Sequence, residues 1–580
     1  MIGDFLTPKP KTICYGIKWL KISLMLSTIC SLIARADVSL EPASLNYTHT
    51  RALLERDPNL TGRDILIAAV CRSMTYINGK PQNDYRFNMN HNSLYHADVL
   101  FEDGTDGQFG ISSHATAIAG ILVGQDNNAY FPSIGDFQYE GICPDASVDV
   151  YEFWRFATLY LFDKQPFDAD IITLSLGETF EDWWTRAFEN LTTEQDTIVI
   201  ASIGNGGGNY DMLYPGAGAN IIGVGVVDAV TDANGLVSLC DFSLPNNENS
   251  SSGPTDDKRC KPDIVAPGTA LIPAYDNSDG YLIGENWSSL AAPIVSGTTA
   301  LLLQKAYSDE TLNKAVNRPQ INCVIKAILM NSAAKLPYWH KGQITPDDDT
   351  ESPLDLTQGA GALDATAALD LLTAGLQEPG IVPASGWDNR VLDANYLQYD
   401  YTLNAIEPNQ MITATLCWNY HYQNHYPFEH LQEEDADLRL ELWGFDPNAP
   451  GDETLVDFCD SINDNVEHIY FKSTEQFTDY RIRVLFSHSQ SIEQRYAIAW
   501  SVGRDTSVDN RWWYDLNGDN KIESFDNIVY SMIDYGIIDS MEPSLIQKLL
   551  NLSSERLQLL TTHWDKWKVY LTDRQAVYGD

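Results

Sequence analysis

The sequence predicts an α/β fold with a parallel sheet and flanking helices, followed by an antiparallel β-sandwich and a small helical C-terminal module. The parallel sheet is predicted because short apolar runs alternate with helical patterns between residues 60 and 375. The sandwich is predicted from period-two alternation further along the chain. The C-terminal module is predicted from an oxygen-rich loop at residues 515–526. A chain of 580 residues is also too long for a single hydrophobic core.

The amino terminus has the order of an export signal. A basic region precedes the apolar stretch Ile22–Ile33 and the small-residue site at residues 34–36, and this stretch is shorter than the roughly 20 residues that a membrane span needs. We expect cleavage after Ala36, a secreted, cell-surface or periplasmic protein, and no membrane span after signal removal. A retained N-terminal anchor is the alternative. The basic residues are Lys9, Lys11, Lys18 and Lys21.

Charge and cysteine content fit an extracellular protein. The chain has 37 Lys and Arg against 80 Asp and Glu, a formal net charge of -43. Repulsion from phosphates opposes nucleic-acid binding, so we expect no nucleic-acid partner, whereas a carboxylate-rich surface suits divalent cations and solubility outside the cell. Export permits disulfides, and Cys240 with Cys260, or Cys417 with Cys459, are the candidate pairs.

The parallel sheet is predicted from five apolar runs. Each run is short and helical patterns separate them, as strands buried on both faces require. Active sites in such sheets lie at the carboxyl ends of the strands, so the residues that follow each run matter most. The runs are Ile65–Val70, Val148–Tyr151, Ile171–Leu176, Thr197–Ile203 and Ile221–Val227.

Three residues carry candidate chemistry. His114 begins a small-residue helix, Asn205 lies in a glycine-rich turn where its amide can donate to a developing oxyanion, and Ser289 lies at a helix start, near free backbone amides. The run 286–297, Asn-Trp-Ser-Ser-Leu-Ala-Ala-Pro-Ile-Val-Ser-Gly, resembles the nucleophile motif of the subtilisin-like serine peptidases, or subtilases. The run 114–120, His-Ala-Thr-Ala-Ile-Ala-Gly, resembles their histidine motif. Segments 141–146, 170–177, 252–255 and 261–268 are similar to other subtilase signatures and follow the family's order.

The resemblance covers roughly residues 50–375 and implies a subtilisin-like fold that carries out acyl transfer on polypeptide substrates. Ser289 would attack a peptide carbonyl, His114 would act as general base, and Asn205 with the Ser289 amide would stabilise the oxyanion. By the same analogy, one segment would pair with extended substrate backbone, and another would line the pocket for the side chain before the cut. These substrate-binding residues are Ser175, Leu176 and Gly177 in the first segment, and Ser202, Ile203 and Gly204 in the second.

The chain departs from the family pattern at the third member of the triad. Cys71 falls where the aspartate is expected, at the end of the first strand. A Cys71 thiolate acting as a weaker anion is one hypothesis. A carboxylate from Asp98 or Asp103 is another.

Two functional hypotheses therefore stay open. The first is a secreted serine endopeptidase with a non-standard triad, favoured by the joint presence of Ser289, His114 and Asn205. The second is a pseudopeptidase that binds polypeptide or scaffolds partners without cutting, favoured by Cys71 and by bulky Trp287 before the nucleophile motif.

The carboxyl-terminal third of the chain has a different sequence pattern. Gly375–Trp387 is rich in Pro and Gly and is interpreted as a linker. The alternating runs Met411–Trp418, Leu438–Trp443 and Tyr480–Phe486 indicate an antiparallel β-sandwich. This part resembles the jelly-roll domain that follows some bacterial subtilases, with residues 464–468, Asp-Asn-Val-Glu-His, similar to a segment of that domain.

The last segment carries a Ca²⁺ signature. Oxygen ligands spaced along the loop suit a hard cation, and the loop resembles one calcium loop of a dockerin repeat. Dockerins have two such loops and no second is found, so a docking partner is a minor expectation beside a calcium-stabilised module. The predicted ligands are Asp515, Asn517, Asp519, Lys521 through its backbone, and Asp526. The predicted divisions are 1–36, signal; 37–375, peptidase; 376–505, jelly-roll sandwich; and 506–580, dockerin-like or EF-hand-like module.

Overall fold

The computed structural model describes residues 39–503, apart from residues 73–75, 79, 82–83, 104–108, 207–211, 232–235, 275, 277, 338, 343–349, 448–452 and 489–491. The predicted signal peptide and the predicted calcium loop both lie outside the described residues. Among the described residues, no helix combines the length and apolar character that crossing a bilayer demands.

The amino-terminal part is built around a seven-stranded parallel sheet in the order β16-β13-β12-β11-β2-β10-β6. The strands of this part are β1 (Ser39–Glu41), β2 (Leu66–Cys71), β3 (Tyr76–Ile77), β4 (Lys80–Pro81), β5 (Asp84–Arg86), β6 (Val99–Glu102), β7 (Gly110–Ile111), β8 (Gln125–Phe131), β9 (Gly135–Glu140), β10 (Ser147–Glu152), β11 (Ile171–Leu174), β12 (Ile198–Ser202), β13 (Ile222–Val227), β14 (Ala229–Thr231), β15 (Val237–Phe242), β16 (Ile264–Pro267), β17 (Ala270–Pro273) and β18 (Tyr281–Gly284).

Helices cover both faces of this sheet. On one face they pack around a core that includes Ile67, Ile200 and Leu301, and on the other around Val70, Ile172 and Phe188. The helices are α1 (Ser44–Tyr47), α2 (Thr50–Arg56), α3 (Ser113–Val123), α4 (Phe153–Phe156), α5 (Trp183–Glu194), α6 (Ser288–Ser308), α7 (Glu310–Val316), α8 (Ile321–Ser332) and α9 (Ala365–Ala374). A π-helical turn, Ala157–Phe162, follows α4.

The five predicted strands are present as β2, β10, β11, β12 and β13, with ends shifted by a few residues. All residues of β11, β12 and β13 are buried, which explains why they read as near-continuous apolar runs. The sheet's edge strand β6 lacks such a run because its residues are partly exposed.

The second part consists of two sheets packed face to face around one apolar core that includes Tyr401, Leu440, Leu416 and Trp500. One sheet has the order β19-β21-β26-β23-β24 and the other β20-β27-β22-β25. The strands are β19 (Gly380–Ile381), β20 (Ser385–Leu392), β21 (Gln398–Leu403), β22 (Met411–Trp418), β23 (Leu438–Phe445), β24 (Thr454–Cys459), β25 (Val466–Lys472), β26 (Asp479–Phe486) and β27 (Gln494–Gly503).

The interpretation of Gly375–Trp387 as a linker is wrong. This segment contains β19 and the start of β20, and Trp387 is only 1% exposed. The Trp387 indole N–H donates to the carbonyl of Leu372 at the end of α9, 3.0 Å away. The segment is therefore part of a packed junction, and two of its glycines, Gly380 and Gly386, lie in strands.

Helix α8 joins the two parts. It packs on β22 and β27, and Asn322 and Asn419 exchange side-chain hydrogen bonds of 2.8 and 3.1 Å across the junction. Trp387, Cys417 and Ala499 belong to the same apolar cluster as residues of α3, α6 and α8. No disulfide joins the cysteines of the described residues, so neither expected pair is bridged.

Candidate active site

Ser289 lies in the first turn of α6, at the carboxyl edge of the parallel sheet. The Ser175 hydroxyl, just past the end of β11, donates to the Ser289 carbonyl at 2.9 Å. The Ser289 hydroxyl lies 3.5 Å from the Ser175 carbonyl, which is a weak contact. The segment that follows β11 therefore holds the start of α6 in place, while the Ser289 hydroxyl keeps no strong partner.

Asn205 is oriented by the residue before Ser289. Its side-chain carbonyl accepts from both the backbone N–H and the hydroxyl of Ser288, each at 2.8 Å. The Ser288 hydroxyl in turn accepts from the Gly204 N–H at 3.2 Å. Because these contacts fix the carbonyl side of the amide, the Asn205 NH₂ group is left to donate, and it has no hydrogen-bond partner within the described residues.

The backbone amide of Ser289 is a second open donor. The first N–H groups of a helix have no intrahelical acceptor, and nothing in the described part of the chain accepts from this one. The Ser289 N–H and the Asn205 NH₂ are thus two unbonded donors near the start of α6. An oxyanion hole uses donors of this kind.

His114 lies in the first turn of α3. Ser112 caps this helix by accepting from the Ala115 N–H at 3.1 Å. The imidazole Nε2 is buried and has no hydrogen-bond partner in the described structure. Burial lowers the pKa of His114 from 6.5 to about 4, so the ring is neutral at ordinary pH.

Ile142 contacts both α3, which carries His114, and α6, which carries Ser289. The Ile142 N–H donates to the Ile121 carbonyl of α3 at 2.9 Å, and the Ile142 side chain packs against Gly297 of α6, where an added Cβ would lie 2.8 Å from that of Ile142. His114 and Ser289 each lie about two helical turns before this shared contact. Within the described residues, no direct hydrogen bond joins the two side chains.

Cys71 ends β2, an interior strand of the parallel sheet. Burial raises the pKa of Cys71 to about 12, because a thiolate would lose its hydration there. This shift favours the protonated thiol at neutral pH and argues against a thiolate that stabilises imidazolium.

The two carboxylates considered as replacements are engaged elsewhere. Asp98 accepts from the Ser147 hydroxyl at 2.6 Å, and Asp103 accepts from the Tyr85 hydroxyl and pairs with Arg86. Within the described residues, no acidic group contacts His114, and burial alone sets its pKa. The described residues of this candidate site are thus a serine hydroxyl, an imidazole whose pKa is lowered, and unbonded donors, with no acidic group against His114.

The expected substrate segments differ in accessibility. Gly177 has no hydrogen bond to its backbone N–H or carbonyl in the described structure, and the next residue forms a bridge with Tyr214. Ser202 and Ile203, by contrast, are fully buried, and Ile203 packs against Met212 and Tyr214. Their side chains therefore pack inside the protein rather than lining an open pocket, because β12 lies inside the sheet.

A cleft that sequence reasoning missed adjoins Gly177. It has a volume of about 140 Å³ and is lined mainly by aromatic and aliphatic groups. Its residues come from the segments after β2 and β11, from α4 and α5, and from Tyr214 and Pro215, so no single stretch of sequence signals it. They include Arg72, Trp154, Leu176, Trp183 and Trp184.

No cluster of His, Cys, Asp or Glu in the described part of the chain could hold a metal ion. The predicted ligands Asp515, Asn517, Asp519, Lys521 and Asp526 lie outside the described residues, so the calcium loop stays a prediction.

Comparison with known proteins identifies the family of this chain. The model of the subtilase family, Peptidase_S8, matches residues 58–361, more than half of the chain. The chain belongs to the subtilase family.

The relatives include serine protease AprX of Bacillus subtilis (strain 168), 24% identical over an alignment of 316 residues that covers 48% of this chain and 66% of the relative. Thermitase of Thermoactinomyces vulgaris is 27% identical over an alignment of 180 residues that covers 30% of this chain and 52% of the relative. Pyrolysin of Pyrococcus furiosus is 25% identical over an alignment of 342 residues that covers 48% of this chain and 23% of the relative. The matched region thus spans at most about two thirds of the length of these relatives.

Proposed function

We propose that this subtilase is a secreted serine endopeptidase that works with a Ser289 and His114 dyad. The observation that carries the proposal is the start of α6, where the Ser289 hydroxyl stands beside two unbonded donors, its own amide and the Asn205 NH₂ group. Relatives named as serine proteases support the same activity. Neither a thiolate at Cys71 nor a carboxylate takes part in the proposed chemistry.

The reaction is an acyl transfer. Ser289 Oγ forms a bond to the carbonyl carbon of a peptide while its proton passes to Nε2 of His114, and the carbonyl oxygen becomes an oxyanion that accepts from the two donors. The C–N bond then breaks, and the imidazolium returns the proton to the leaving amine. Water releases the acyl group by the same path. The hydroxyl must first turn from the Ser175 carbonyl toward His114.

The missing carboxylate sets the expected rate. In a related triad, loss of that charge lowers turnover by about ten-thousandfold, because the imidazole is neither oriented nor stabilised when protonated. Here burial also disfavours imidazolium, as the low pKa of His114 indicates. The proposed enzyme is therefore slow.

The same observations favour one alternative, a pseudopeptidase that binds polypeptides without cutting. The protonated Cys71 thiol and the absence of an acidic partner for His114 in the described structure support it. Both proposed functions use the same cleft and the same class of ligand.

Labelling with a fluorophosphonate separates the two functions, since this reagent bonds covalently only to an activated serine. The wild type should be labelled and Ser289→Ala should not. Ser308→Ala is the matched control, because Ser308 ends the same helix at an exposed position, and it should label like the wild type. If the wild type is never labelled, the peptidase proposal is wrong and the pseudopeptidase is the function that stands.

We further propose a C-terminal module over residues 506–580 that binds Ca²⁺, with Asp515, Asn517, Asp519, Asp526 and the Lys521 carbonyl as ligands. Carboxylate, amide and carbonyl oxygens are what this cation prefers. Bound Ca²⁺ would hold the loop together by drawing these ligands in, so its expected role is structural. A docking partner for this module, and the assignment of residues 376–505 as a jelly-roll domain, are parts of the same proposal.

A further inference from the structure

An exposed strip of aromatic side chains runs away from the cleft. We define this aromatic strip as Trp154, Trp183, Phe162 and Tyr426. The Trp183 ring is central, with its centroid 6.5 Å from that of Trp154, 4.9 Å from Phe162 and 6.5 Å from Tyr426. Trp154, Phe162 and Tyr426 are 60%, 43% and 62% exposed. A contiguous exposed apolar surface of this kind marks an interaction site rather than a packing surface.

The strip is assembled from both parts of the fold. Trp154, Phe162 and Trp183 come from the helices that cover the parallel sheet, whereas Tyr426 comes from the loop between β22 and β23. That loop is fixed on the peptidase side, because Phe428 is fully buried in the core below α5 and the Asn190 side chain donates to the Tyr422 carbonyl at 3.2 Å. Tyr426 is therefore held in place before any ligand arrives, which lowers the entropic cost of binding.

One end of the strip meets the free backbone of Gly177. Trp154 and Trp183 line the cleft together with Leu176 and Gly177. A chain that pairs with Gly177 can extend its side chains onto the aromatic rings, and this continuity favours an extended polypeptide as the ligand. A sugar would instead need free polar groups at the rim. There, Arg72 is held by Glu178 at 2.7 Å and Arg186 by Glu181 at 3.0 Å.

Charge narrows the class of polypeptide. Near the cleft, Glu178 pairs with Arg72, and Glu181 and Asp182 share Arg186, so three carboxylates face two guanidinium groups and one negative charge stays in excess. The whole chain also has a formal net charge of -43. Basic residues beside aromatic or aliphatic ones would therefore be attracted to this region and would bring apolar side chains to the strip.

We propose that the aromatic strip is an accessory binding surface for the polypeptide substrate, specific for unfolded segments that combine basic and apolar residues, and that the β22–β23 loop supplies part of it through Tyr426. The inference rests on the proposed function only in that the ligand is a polypeptide at this cleft. Truncating one well-placed aromatic residue at an interface typically weakens binding by about fivefold to thirtyfold.

The test measures binding in the full-length Ser289→Ala chain by fluorescence anisotropy, with a fluorescein-labelled unstructured peptide of alternating Lys, Phe and Ser. Tyr426→Ala and Phe162→Ala should each raise Kd by about fivefold or more. Tyr396→Ala is the matched control, because Tyr396 is 58% exposed but lies outside the strip, and its Kd should equal that of the parent. A peptide with Glu in place of Lys should bind more weakly.

Equal Kd values for Tyr426→Ala, Phe162→Ala and the parent would overturn the proposal, and so would equal affinity for the Glu peptide. Displacement of the peptide by micromolar cellohexaose would overturn it by assigning the strip to carbohydrate. Because binding is measured on a chain that cannot form an acyl-enzyme, the expected result does not depend on peptidase activity. Failure of this proposal and failure of the proposed function are thus distinguishable.

Discussion

Replacing Cys71 with aspartate introduces a carboxylate at the end of β2, where the family carries its third triad group. The change should act on His114, whose neutral form is favoured by burial. A pKa of about 4 instead of 6.5 corresponds to about 3 kcal/mol against imidazolium. A carboxylate about 4 Å from the ring contributes on the order of 4 kcal/mol in the other direction at an effective dielectric constant of about 20.

The two terms nearly offset each other, so the variant's imidazole should regain a pKa near or above its ordinary value. Turnover should rise by about a thousandfold or more, since removal of the same charge in a related triad costs about ten-thousandfold. The new carboxylate also lies in a buried position, so we expect the variant to be less stable than the wild type.

The assay is kcat/KM against pH on a denatured, fluorescently labelled protein. Only neutral imidazole can take the Ser289 proton, so activity falls as pH drops through the pKa of His114. The acid limb should lie near pH 4 in the wild type, as its pKa indicates, and should move to higher pH in Cys71→Asp. Cys71→Asn is the control, because it matches the shape without the charge and should gain nothing. An acid limb near pH 7 in the wild type, or no gain in Cys71→Asp, would refute the reasoning.

Three further predictions concern other parts of the chain. Asn205→Ala should lower kcat by about a hundredfold or more with little change in KM, because it removes one oxyanion donor. A higher KM with an unchanged kcat would contradict this prediction. Trp387→Ala should lower the free energy of unfolding in urea by about 3 to 5 kcal/mol, whereas exposed Trp154→Ala should change it little; similar values for both would contradict the packed junction. EDTA should lower the Tm of the full chain, since Ca²⁺ at about 100 times its Kd adds about 2.7 kcal/mol to the native state. Asp519→Ala should make Tm insensitive to Ca²⁺, and an unchanged response would argue against the predicted loop.

The parallel sheet was predictable because its strands are buried on both faces. β11, β12 and β13 are entirely buried. A strand that is buried on both faces consists mostly of consecutive apolar residues, so it can be recognised in the sequence. The sandwich strand Met411–Trp418 was predicted with the bounds that the structure has. The Gly375–Trp387 segment was misjudged because composition alone does not indicate that Trp387 inserts beside α9.

The site was only partly predictable, for a physical reason. The residue types at 114, 205 and 289 follow from local motifs, but their electrostatics depend on surroundings that are distant in sequence. The neutral thiol of Cys71 and the low pKa of His114 both arise from burial in the folded chain. The aromatic strip was missed because Tyr426 reaches Trp183 only through the packing of a loop that belongs to the other part of the fold.

The position of helix α8 between the two parts of the fold limits how the chain can be truncated. One side of the helix serves the parallel sheet's core and the other rests on β22 and β27. In a protein truncated after residue 375, the side of α8 that carries Asn322 and Asn331 would be exposed to water, because β22 and β27 would be missing. Expression of the amino-terminal part alone should therefore yield aggregated protein. When the intact chain is heated, the parallel-sheet part and the sandwich part should unfold in one transition.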